Sequence, residues 1–422
     1  MHSRVSFSIH TLGCKVNQYE GERIVADLKR MGWDQVDFSS SADVYIINSC
    51  TVTAVANHKS RQLIRRALKN NPESLVVVTG CYADSDRDEI AQIEGIDLIV
   101  GNDQKRELPR VLAEKLGMEA SSKVSGDKIV MPLHTRALVK IQDGCNQFCS
   151  YCIVPYVRGN LWSRPQSEIV DEVSRLVATG TQEIVLTGIH LGLYGNGTGN
   201  SLGSLLRRLI DIRGLGRIRL SSIELNEITP DIVELISTSG KVCNHLHIPL
   251  QSGSDSILAK MNRRYTQSEF VERTDELKQK IDGLAITTDV IVGFPGETDN
   301  DFNDTAELVE RVGFSKLHVF KFSPRAGTPA ATYNNQVASS VKDSRSAQLI
   351  DISRKLSSKF ASNYVGKNLS VLVERAHGKY LSGISDNYIR VHIEGGTQDA
   401  IGRLVNVNID EQENAILYGR IV

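Results

Sequence analysis

Residues 137–152 read ALVKIQDGCNQFCSYC, in which a short apolar run leads directly into three cysteines. These are Cys145, Cys149 and Cys152, with the spacing C-x3-C-x2-C. Thiolates bind zinc or iron–sulfur clusters, but a structural zinc site needs four protein ligands. Three thiolates fit a 4Fe-4S cluster better, because they anchor three irons and leave the fourth open to bind a substrate.

Outward from this loop the chain alternates strands and helices for over two hundred residues. Six strands are predicted, at 137–141, 183–188, 217–222, 245–250, 285–293 and 316–322. Helices are predicted between them at 166–179, 204–212, 229–237 and 268–281. Six repeats without a seventh or eighth predict an incomplete (β/α)8 barrel, whose chemistry sits at the carboxyl ends of the strands. The cysteine loop follows the first strand and therefore opens onto that face.

The first hundred residues alternate in the same way. Apolar runs at 5–13, 42–48, 74–80 and 96–102 are separated by amphipathic helical patterns at 21–32 and 57–71. This pattern predicts a doubly wound parallel sheet, a Rossmann-like or flavodoxin-like domain over residues 1–118.

Three more cysteines follow strands of this domain. Cys14, Cys50 and Cys81 each come just after the carboxyl end of a predicted strand. Those ends share one edge of an open parallel sheet, where ligands bind, so we expect the three thiols to converge. The alternative is that they are three small buried core residues.

The remainder of the chain consists of a linker and a small domain. Residues 119–136 are polar and lack apolar periodicity, which indicates a linker before a domain at 131–360. From residue 363 to 422 the apolar period changes to two, with strands predicted at 367–376, 388–394, 403–410 and 414–422. This pattern predicts a small antiparallel β-barrel. Such barrels often bind RNA, although this segment has no excess of basic residues.

Composition limits the class of protein. The chain has 422 residues, 41% hydrophobic, with a formal net charge of −1, so a nucleic-acid partner would have to be met by local patches. We find no signal peptide or membrane-spanning run and expect a cytoplasmic protein. The seven cysteines then point to metal binding or catalysis before disulfides. The seventh, Cys243, precedes a strand and is interpreted as structural. His245 and His247 alternate along that strand and are interpreted as packing or surface residues.

Four groups of motifs resemble a known family. The segment DGCNQFCSYCIVPYVRG resembles the cluster loop of radical S-adenosylmethionine (SAM) enzymes, whose fold is a partial (β/α)6 barrel. HTLGCKVNQYE, INSCTVT and VTGCYAD resemble the N-terminal domain of the methylthiotransferases within that superfamily. LVKIQDGC, IVLTGIHLG, LQSGSDSILAKMNRRYT and DVIVGFPGETDNDF resemble their radical-SAM core, and YVGKNLSVLVE…YIRVHIE…LYGRIV resembles the RNA-binding TRAM barrel. The resemblance covers nearly the whole chain in the family's domain order.

The resemblance implies two 4Fe-4S clusters. Cys145, Cys149 and Cys152 would bind the radical-SAM cluster, and Cys14, Cys50 and Cys81 an auxiliary cluster. One SAM would methylate a sulfur on the auxiliary cluster, and a second would give a 5′-deoxyadenosyl radical that takes hydrogen from an unactivated carbon. The implied partners are the tRNA anticodon stem-loop and an electron donor such as flavodoxin or ferredoxin.

The motif TLGCKVNQYE resembles the branch that acts on N6-threonylcarbamoyladenosine at position 37 of tRNA, at carbon C2. The alternatives within the family are N6-isopentenyladenosine-37 and an aspartate on a ribosomal protein. A different class of function is a binding module with structural metal sites, which predicts closed zinc sites of four thiolates each. The sequence provides three thiolates at each of two places.

The family also implies SAM contacts at predicted strand ends and in the cluster loop. The candidates are Tyr151, Thr187, Gly188, Glu224 and Gln251. Glu224 is followed by Leu225, where the family often has proline, which puts the local geometry there in doubt. Arg158, which follows the cluster loop, is a candidate for bringing positive charge to the active site. No protein side chain beyond the cofactor sites is predicted to be catalytic.

Overall fold

The computed structural model describes residues 4–52, 54–118 and 135–422. Most of the predicted linker, up to residue 134, lies outside the described residues. The described chain divides into two compact units, each treated separately below. The first unit comprises residues 4–52, 54–118, 143–161 and 323–331, and the second comprises residues 135–142, 162–322 and 332–422.

The first unit is an α/β layer structure. Its strands are β1 (Ser6–Thr11), β2 (Asp34–Gln35), β3 (Val44–Ser49), β4 (Leu75–Gly80) and β5 (Leu98–Val100). Its helices are α1 (Lys15–Arg30), α2 (Ala54–Asn70), α3 (Cys81–Ser85), α4 (Arg87–Ala91), α5 (Leu108–Lys115) and α6 (Val154–Arg158). The helix predicted to begin at residue 21 begins six residues earlier, at Lys15.

The sheet of this unit has five parallel strands in the order β2-β1-β3-β4-β5. Helices cover both faces, because Phe7 and Ile46 pack with Leu28 of α1 on one side. On the other side Val78 packs with Ile64 of α2. The predicted doubly wound parallel sheet is present, and its strand order is that of flavodoxin-like folds. The short edge strand β2 was not predicted.

The second unit contains the longer run of strand–helix repeats. Its strands in this part are β6 (Arg136–Lys140), β8 (Trp162–Ser163), β9 (Glu183–Thr187), β10 (Arg217–Leu220), β11 (His245–His247), β12 (Ala285–Val292) and β13 (Lys316–Lys321). The two residues of the short strand β7 (Gln142–Asp143) fall on either side of the division between the units. Its helices are α7 (Gln166–Ala178), α8 (Leu202–Ile210), α9 (Pro230–Thr238), α10 (Asp255–Lys260), α11 (Gln267–Lys280), α12 (Asp299–Val312) and α13 (Ser339–Ser362).

All six strands predicted for this region are present. They form two parallel three-stranded sheets, β6-β9-β10 and β11-β12-β13. Parallel bridges from Ile218 to Val242 and from Ser222 to His247 connect the two sheets. One face carries a single apolar core shared with the helices, to which Ile286 and Val290 of β12 belong. Alternate residues of each strand therefore face the side opposite this core.

The chain ends in a closed five-stranded barrel. Its strands are β14 (Asn368–His377), β15 (Tyr380–Ser385), β16 (Arg390–Glu394), β17 (Leu404–Glu413) and β18 (Ile416–Ile421). The strand order is β14-β15-β16-β18-β17. Four neighbouring pairs are antiparallel, as predicted, whereas β16 and β18 are parallel. Four of the five strands were predicted; β15 was missed.

A buried ion-pair network joins this barrel to β9 and β10. Glu183 is fully buried, and its carboxylate accepts hydrogen bonds from Arg217 Nε at 2.6 Å and Arg219 Nε at 2.9 Å. Arg217 also donates to the carbonyl of Ile384 at 2.7 Å, and Arg219 to that of Ser385 at 2.9 Å. Both arginines thus satisfy backbone acceptors of the small barrel, which ties the two folds within one unit.

No helix among the residues described combines the length and apolar character that a membrane crossing requires.

Candidate active site

Cys14, Cys50 and Cys81 lie at one edge of the first unit's sheet. Cys14 precedes α1 just after β1, Cys50 follows β3 directly, and Cys81 follows β4 as the first residue of α3. The strands β1, β3 and β4 are neighbours and run parallel. Their carboxyl ends therefore bring the three cysteines to one rim, and their role as ligands stays a prediction.

Two glycines make room for this arrangement. Gly13 has a φ of +100°, and a Cβ there would lie 2.9 Å from Cys50 Sγ. Gly80 has a φ of +94°, and a Cβ there would lie 2.3 Å from the Ser49 carbonyl oxygen. Both positions combine a left-handed backbone with a close approach, so only glycine fits without displacing a neighbouring strand or thiol.

Substituting alanine for Gly80 is therefore expected to destabilise the protein by more than ~1 kcal/mol, because it adds a backbone clash to an unfavourable φ. The matched control is Gly32→Ala, which has a φ of +84° but no heavy atom within 4 Å of the added Cβ. The measurement is the midpoint of urea unfolding. Equal shifts for both variants would show that the approach of Gly80 to β3 is unimportant.

The surroundings of the three thiols suit a metal-bound state. Cys81 Sγ faces Arg158 Nε at 3.4 Å and Asn102 Nδ2 at 3.8 Å, and both nitrogens donate. Burial raises the pKa of the Cys50 thiol to about 11. A buried thiol of this kind stays protonated at neutral pH unless a cation binds it. The donor set of three thiols with N–H groups aimed at sulfur fits an iron–sulfur cluster.

The second set of cysteines lies on the loop before α6, in the same compact unit. Cys149 is buried, and Cys145 and Cys152 are half-buried. The loop is tightly folded, since Cys152 N donates to Cys149 O at 2.9 Å and Gln147 N approaches Cys145 Sγ at 3.5 Å. All seven cysteines of the chain lie within the described ranges, and none of them forms a disulfide there. This loop likewise offers three thiols, and a backbone N–H lies beside the sulfur of Cys145.

The two cysteine sets are in contact through α6. Cys81 packs against Ile153 and Val157 in a small buried cluster. Asn102 Nδ2 reaches the Val157 carbonyl at 3.2 Å as well as Cys81. The segment that follows Cys152 is therefore fixed against one of the strand-end cysteines.

The structure brings together four of the five predicted SAM contacts. Thr187 and Gly188 end β9, Glu224 lies beyond β10 and Gln251 beyond β11, all at the carboxyl edge of the second unit's sheets. Tyr151 belongs to the first unit, where it is half-buried in the cysteine loop.

Three of the four, Gly188, Glu224 and Gln251, have a defined local setting. A Cβ on Gly188 would lie 2.9 Å from Gln142 Oε1, so this strand end packs closely. Glu224 forms an ion pair with the buried Arg263. Gln251 is buried with a φ of +65°, and its N–H donates to the Asp289 carbonyl at 2.8 Å. A left-handed backbone is unfavourable for glutamine, so the conformation of Gln251 is fixed by the adjacent strand rather than by local preference.

Sequence reasoning missed a polar cluster on the face opposite the apolar core. Asp289 Oδ2 lies 3.3 Å from His247 Nε2, and Asp289 Oδ1 lies 3.2 Å from His318 Nδ1. Burial by itself raises the pKa of Asp289, but hydrogen bonds from the two histidines hold it well below its usual range. The arrangement of these three residues could hold a metal ion. In the sequence, the histidines of the HLH and KLH strand patterns were the available signal of this cluster. His247 was interpreted there as a packing or surface residue.

Comparison with protein families gives two matches. Residues 139–309 match the radical SAM superfamily, and residues 6–101 match a family described as uncharacterized protein family UPF0004. Among solved structures, the radical SAM methyltransferase TsrM from Kitasatospora setae superposes with a TM-score of 0.57 at 16% identity, covering 78% of this chain and 75% of that one. The class defined by fold and site is a radical SAM enzyme with an α/β fold.

Curated relatives extend over nearly the whole chain. The threonylcarbamoyladenosine tRNA methylthiotransferase MtaB of Bacillus subtilis is 42% identical, covering 95% of this chain and 93% of that protein. The protein of the same name from Chlamydia pneumoniae is 38% identical, covering 99% and 98%. A tRNA-2-methylthio-N(6)-dimethylallyladenosine synthase from Lachnoclostridium phytofermentans is 34% identical, covering 99% and 96%. The chain therefore belongs to the radical SAM methylthiotransferase family, which implies a 4Fe-4S cluster and SAM.

Proposed function

We propose that this protein adds a methylthio group to C2 of N6-threonylcarbamoyladenosine at position 37 of tRNA. The observation that carries the proposal is the contact between the two cysteine sets within one compact unit, through Cys81 and α6. Methylthiolation needs a sulfur donor close to the radical source, and two adjacent three-thiol sites meet that need. The relatives at 36–42% identity named for threonylcarbamoyladenosine support this choice of substrate.

In this proposal Cys145, Cys149 and Cys152 bind the radical-SAM cluster, and a second 4Fe-4S cluster is bound by three further cysteines: Cys14, Cys50 and Cys81. When bound, the clusters and two equivalents of SAM supply the methylthio sulfur and the 5′-deoxyadenosyl radical. The protein side chains position and shield these groups, because an unactivated C–H bond offers no acid–base handle.

The proposed SAM contacts are the residues at the strand ends together with one aromatic residue of the cysteine loop: Thr187, Gly188, Glu224, Gln251 and Tyr151. Glu224 and its partner Arg263 form a charged pair at the edge where SAM would bind. Leu225, the departure from the family pattern, is buried and begins a short 3-10 turn from Leu225 to Glu227. The backbone after Glu224 is thus ordered without proline.

We assign residues 131–360 to a partial (β/α)6 barrel, whose six main strands lie in the second unit, and residues 363–422 to a TRAM-type barrel. The parallel bridges between its two three-stranded sheets support the first assignment. The closed five-stranded barrel supports the second. In this assignment the small barrel contributes to binding the tRNA anticodon stem-loop, and a flavodoxin or ferredoxin supplies electrons.

A second candidate substrate is N6-isopentenyladenosine-37. Relatives named tRNA-2-methylthio-N(6)-dimethylallyladenosine synthases are 33–35% identical with comparable coverage. An aspartate of a ribosomal protein is the third candidate, from the sequence alone.

Substrate choice is tested with the anaerobically reconstituted enzyme, SAM, a reductant and three substrates. These are tRNA carrying threonylcarbamoyladenosine-37, tRNA carrying isopentenyladenosine-37 and purified ribosomal protein. We expect the 2-methylthio product on the first, at a rate at least ~10-fold above the others, since a site that binds a polar group rejects an analogue lacking it. Nucleoside mass spectrometry measures the 2-methylthio product in the tRNA. Faster turnover of either other substrate would assign the chain to that branch instead.

A further inference from the structure

Arg158 is a buried cation at the contact between the two cysteine sets. Its side chain is 1% exposed although it ends a short helix. Its Nε lies 3.4 Å from Cys81 Sγ, and its Nη2 donates to Asn17 Oδ1 at 3.3 Å. All of these residues belong to the first compact unit. A guanidinium is costly to bury, so its position is held by specific partners.

Those partners neutralise the cation nearly completely. Arg158 Nη1 lies 2.8 Å from Glu20 Oε1 and 3.3 Å from Asp143 Oδ2. Lys105, also buried, lies 2.7 Å from Glu20 Oε2 and 3.0 Å from Asn17 Oδ1. Two cations and two carboxylates thus form a compact set with no net formal charge. The Nε–H of Arg158 is the donor of this set that reaches a cysteine.

We propose that Arg158 is a positioning residue that raises the reduction potential of the cluster bound through Cys81. It does so through its N–H···S contact and its charge, and its side chain holds α6, the segment after Cys152, in register with that cluster. This inference rests on the second cluster proposed above. It concerns a residue that contacts a ligand sulfur and takes no part in bond breaking.

The physical reason is electrostatic. Reduction of a cluster adds a negative charge, which nearby positive charge and hydrogen bonds to sulfur stabilise. Burial strengthens the effect, because little water screens the guanidinium from the sulfur. The potential is therefore expected to fall when the charge and the donor are removed, and to rise when a compensating carboxylate is removed.

The test isolates the auxiliary cluster in full-length protein that carries Cys145→Ala, Cys149→Ala and Cys152→Ala. EPR-monitored redox titration then measures its midpoint potential in the presence of Arg158 and in the variant Arg158→Gln. We expect a shift to lower potential at unchanged iron content. Arg110→Gln is the matched control, because this arginine of the same unit is more than half exposed and pairs with surface glutamates; it should shift nothing.

Two further variants keep the test decisive. Glu20→Gln retains Arg158 but removes a carboxylate that neutralises it, and should shift the potential upwards. Arg158→Lys retains the charge without the planar donor and should give an intermediate value. If Arg158→Gln fails to retain iron, the Glu20→Gln shift decides the matter. An unchanged potential in Glu20→Gln or in an iron-loaded Arg158→Gln overturns the inference. Absence of any cluster in the triple-cysteine background overturns instead the proposed second cluster.

Discussion

An iron content of about four per chain, down from about eight, is expected when Cys145, Cys149 and Cys152 are all replaced by alanine. Methylthiolation should fall to background, because the remaining cluster has no radical source beside it. The reciprocal replacement of Cys14, Cys50 and Cys81 should also leave about four irons. That variant should still cleave SAM but transfer no methylthio group. Iron and sulfide analysis with EPR, and measurement of 5′-deoxyadenosine, distinguish the two variants.

Cys243→Ala provides the control for both variants. Cys243 is buried in the second unit, and burial raises its pKa to about 11. The variant should retain the full iron content and activity, since Cys243 lies at the amino end of β11 rather than at the ligand-binding edge. Zinc in place of iron, or a single cluster in the wild type, would contradict the two-cluster proposal and favour a binding module with structural metal sites.

The strand-end cysteines could be located from the sequence because the parallel strands there are strongly apolar. Buried parallel strands such as β3 and β4 give continuous runs of Val and Ile, so their ends are well marked. A cysteine after each of these two runs, and one after the less apolar strand β1, then reach one edge by topology alone. The convergence of Cys14, Cys50 and Cys81 follows from two things: the apolar pattern locates the strand ends, and a doubly wound parallel sheet places those ends at one edge.

The missed strand β15 shows where local pattern is weak. Its sequence, YLSGIS, has serines and a glycine in place of β-branched residues. Gly383 is needed, because a Cβ there would lie 2.3 Å from the Leu372 carbonyl of the paired strand. Strand pairing in the barrel brings the backbones of β14 and β15 close together at Gly383. The need for a glycine at that point cannot be inferred from the periodicity of the sequence. The parallel pairing of β16 with β18 is a similar long-range result.

Contacts between residues distant in sequence were also beyond prediction. Arg158 meets Cys81 across 77 residues, and Arg219 meets Ser385 across 166. The pattern RIRL at β10 predicted a strand, without any indication of where its arginines would lie. In the folded chain both arginines are buried, and Glu183 and carbonyls of the small barrel accept their hydrogen bonds. A polar residue inside a parallel strand is thus a signal of a specific partner, although the partner itself is found only in three dimensions.

The Glu183 network leads to the second large effect. Replacing Glu183 by alanine leaves Arg217 and Arg219 buried without their counter-ion. Breaking a buried pair by removing one partner costs about 3–5 kcal/mol, most of it the desolvation of the uncompensated charge. We therefore expect Glu183→Ala to lower the free energy of unfolding of the second unit by this amount, measured by urea unfolding with a probe in that unit.

The matched control is Glu168→Ala. Glu168 is 60% exposed and 3.8 Å from Arg164, so its removal should cost less than ~1 kcal/mol. Because Arg217 and Arg219 bind carbonyls of the small barrel, Glu183→Ala should also increase proteolytic cleavage between α13 and β14. Equal stability of the two variants would show that backbone acceptors alone suffice to stabilise the buried arginines.

The pairing of Glu183 with Arg217 and Arg219 also predicts how the stability of the second unit changes at acid pH. Burial alone would raise the pKa of Glu183, but Arg219 and Arg217 hold it below its ordinary value of 4.5. A carboxyl with a lowered folded-state pKa stabilises the fold above its unfolded-state pKa, and this contribution is lost as the pH falls through the folded-state value. The stability difference between wild type and Glu183→Gln should therefore be constant above about pH 5 and shrink below about pH 4.5. Urea midpoints measured from pH 7 to pH 3.5 test this; a difference that persists at the acid end would assign the stabilisation to packing instead of charge.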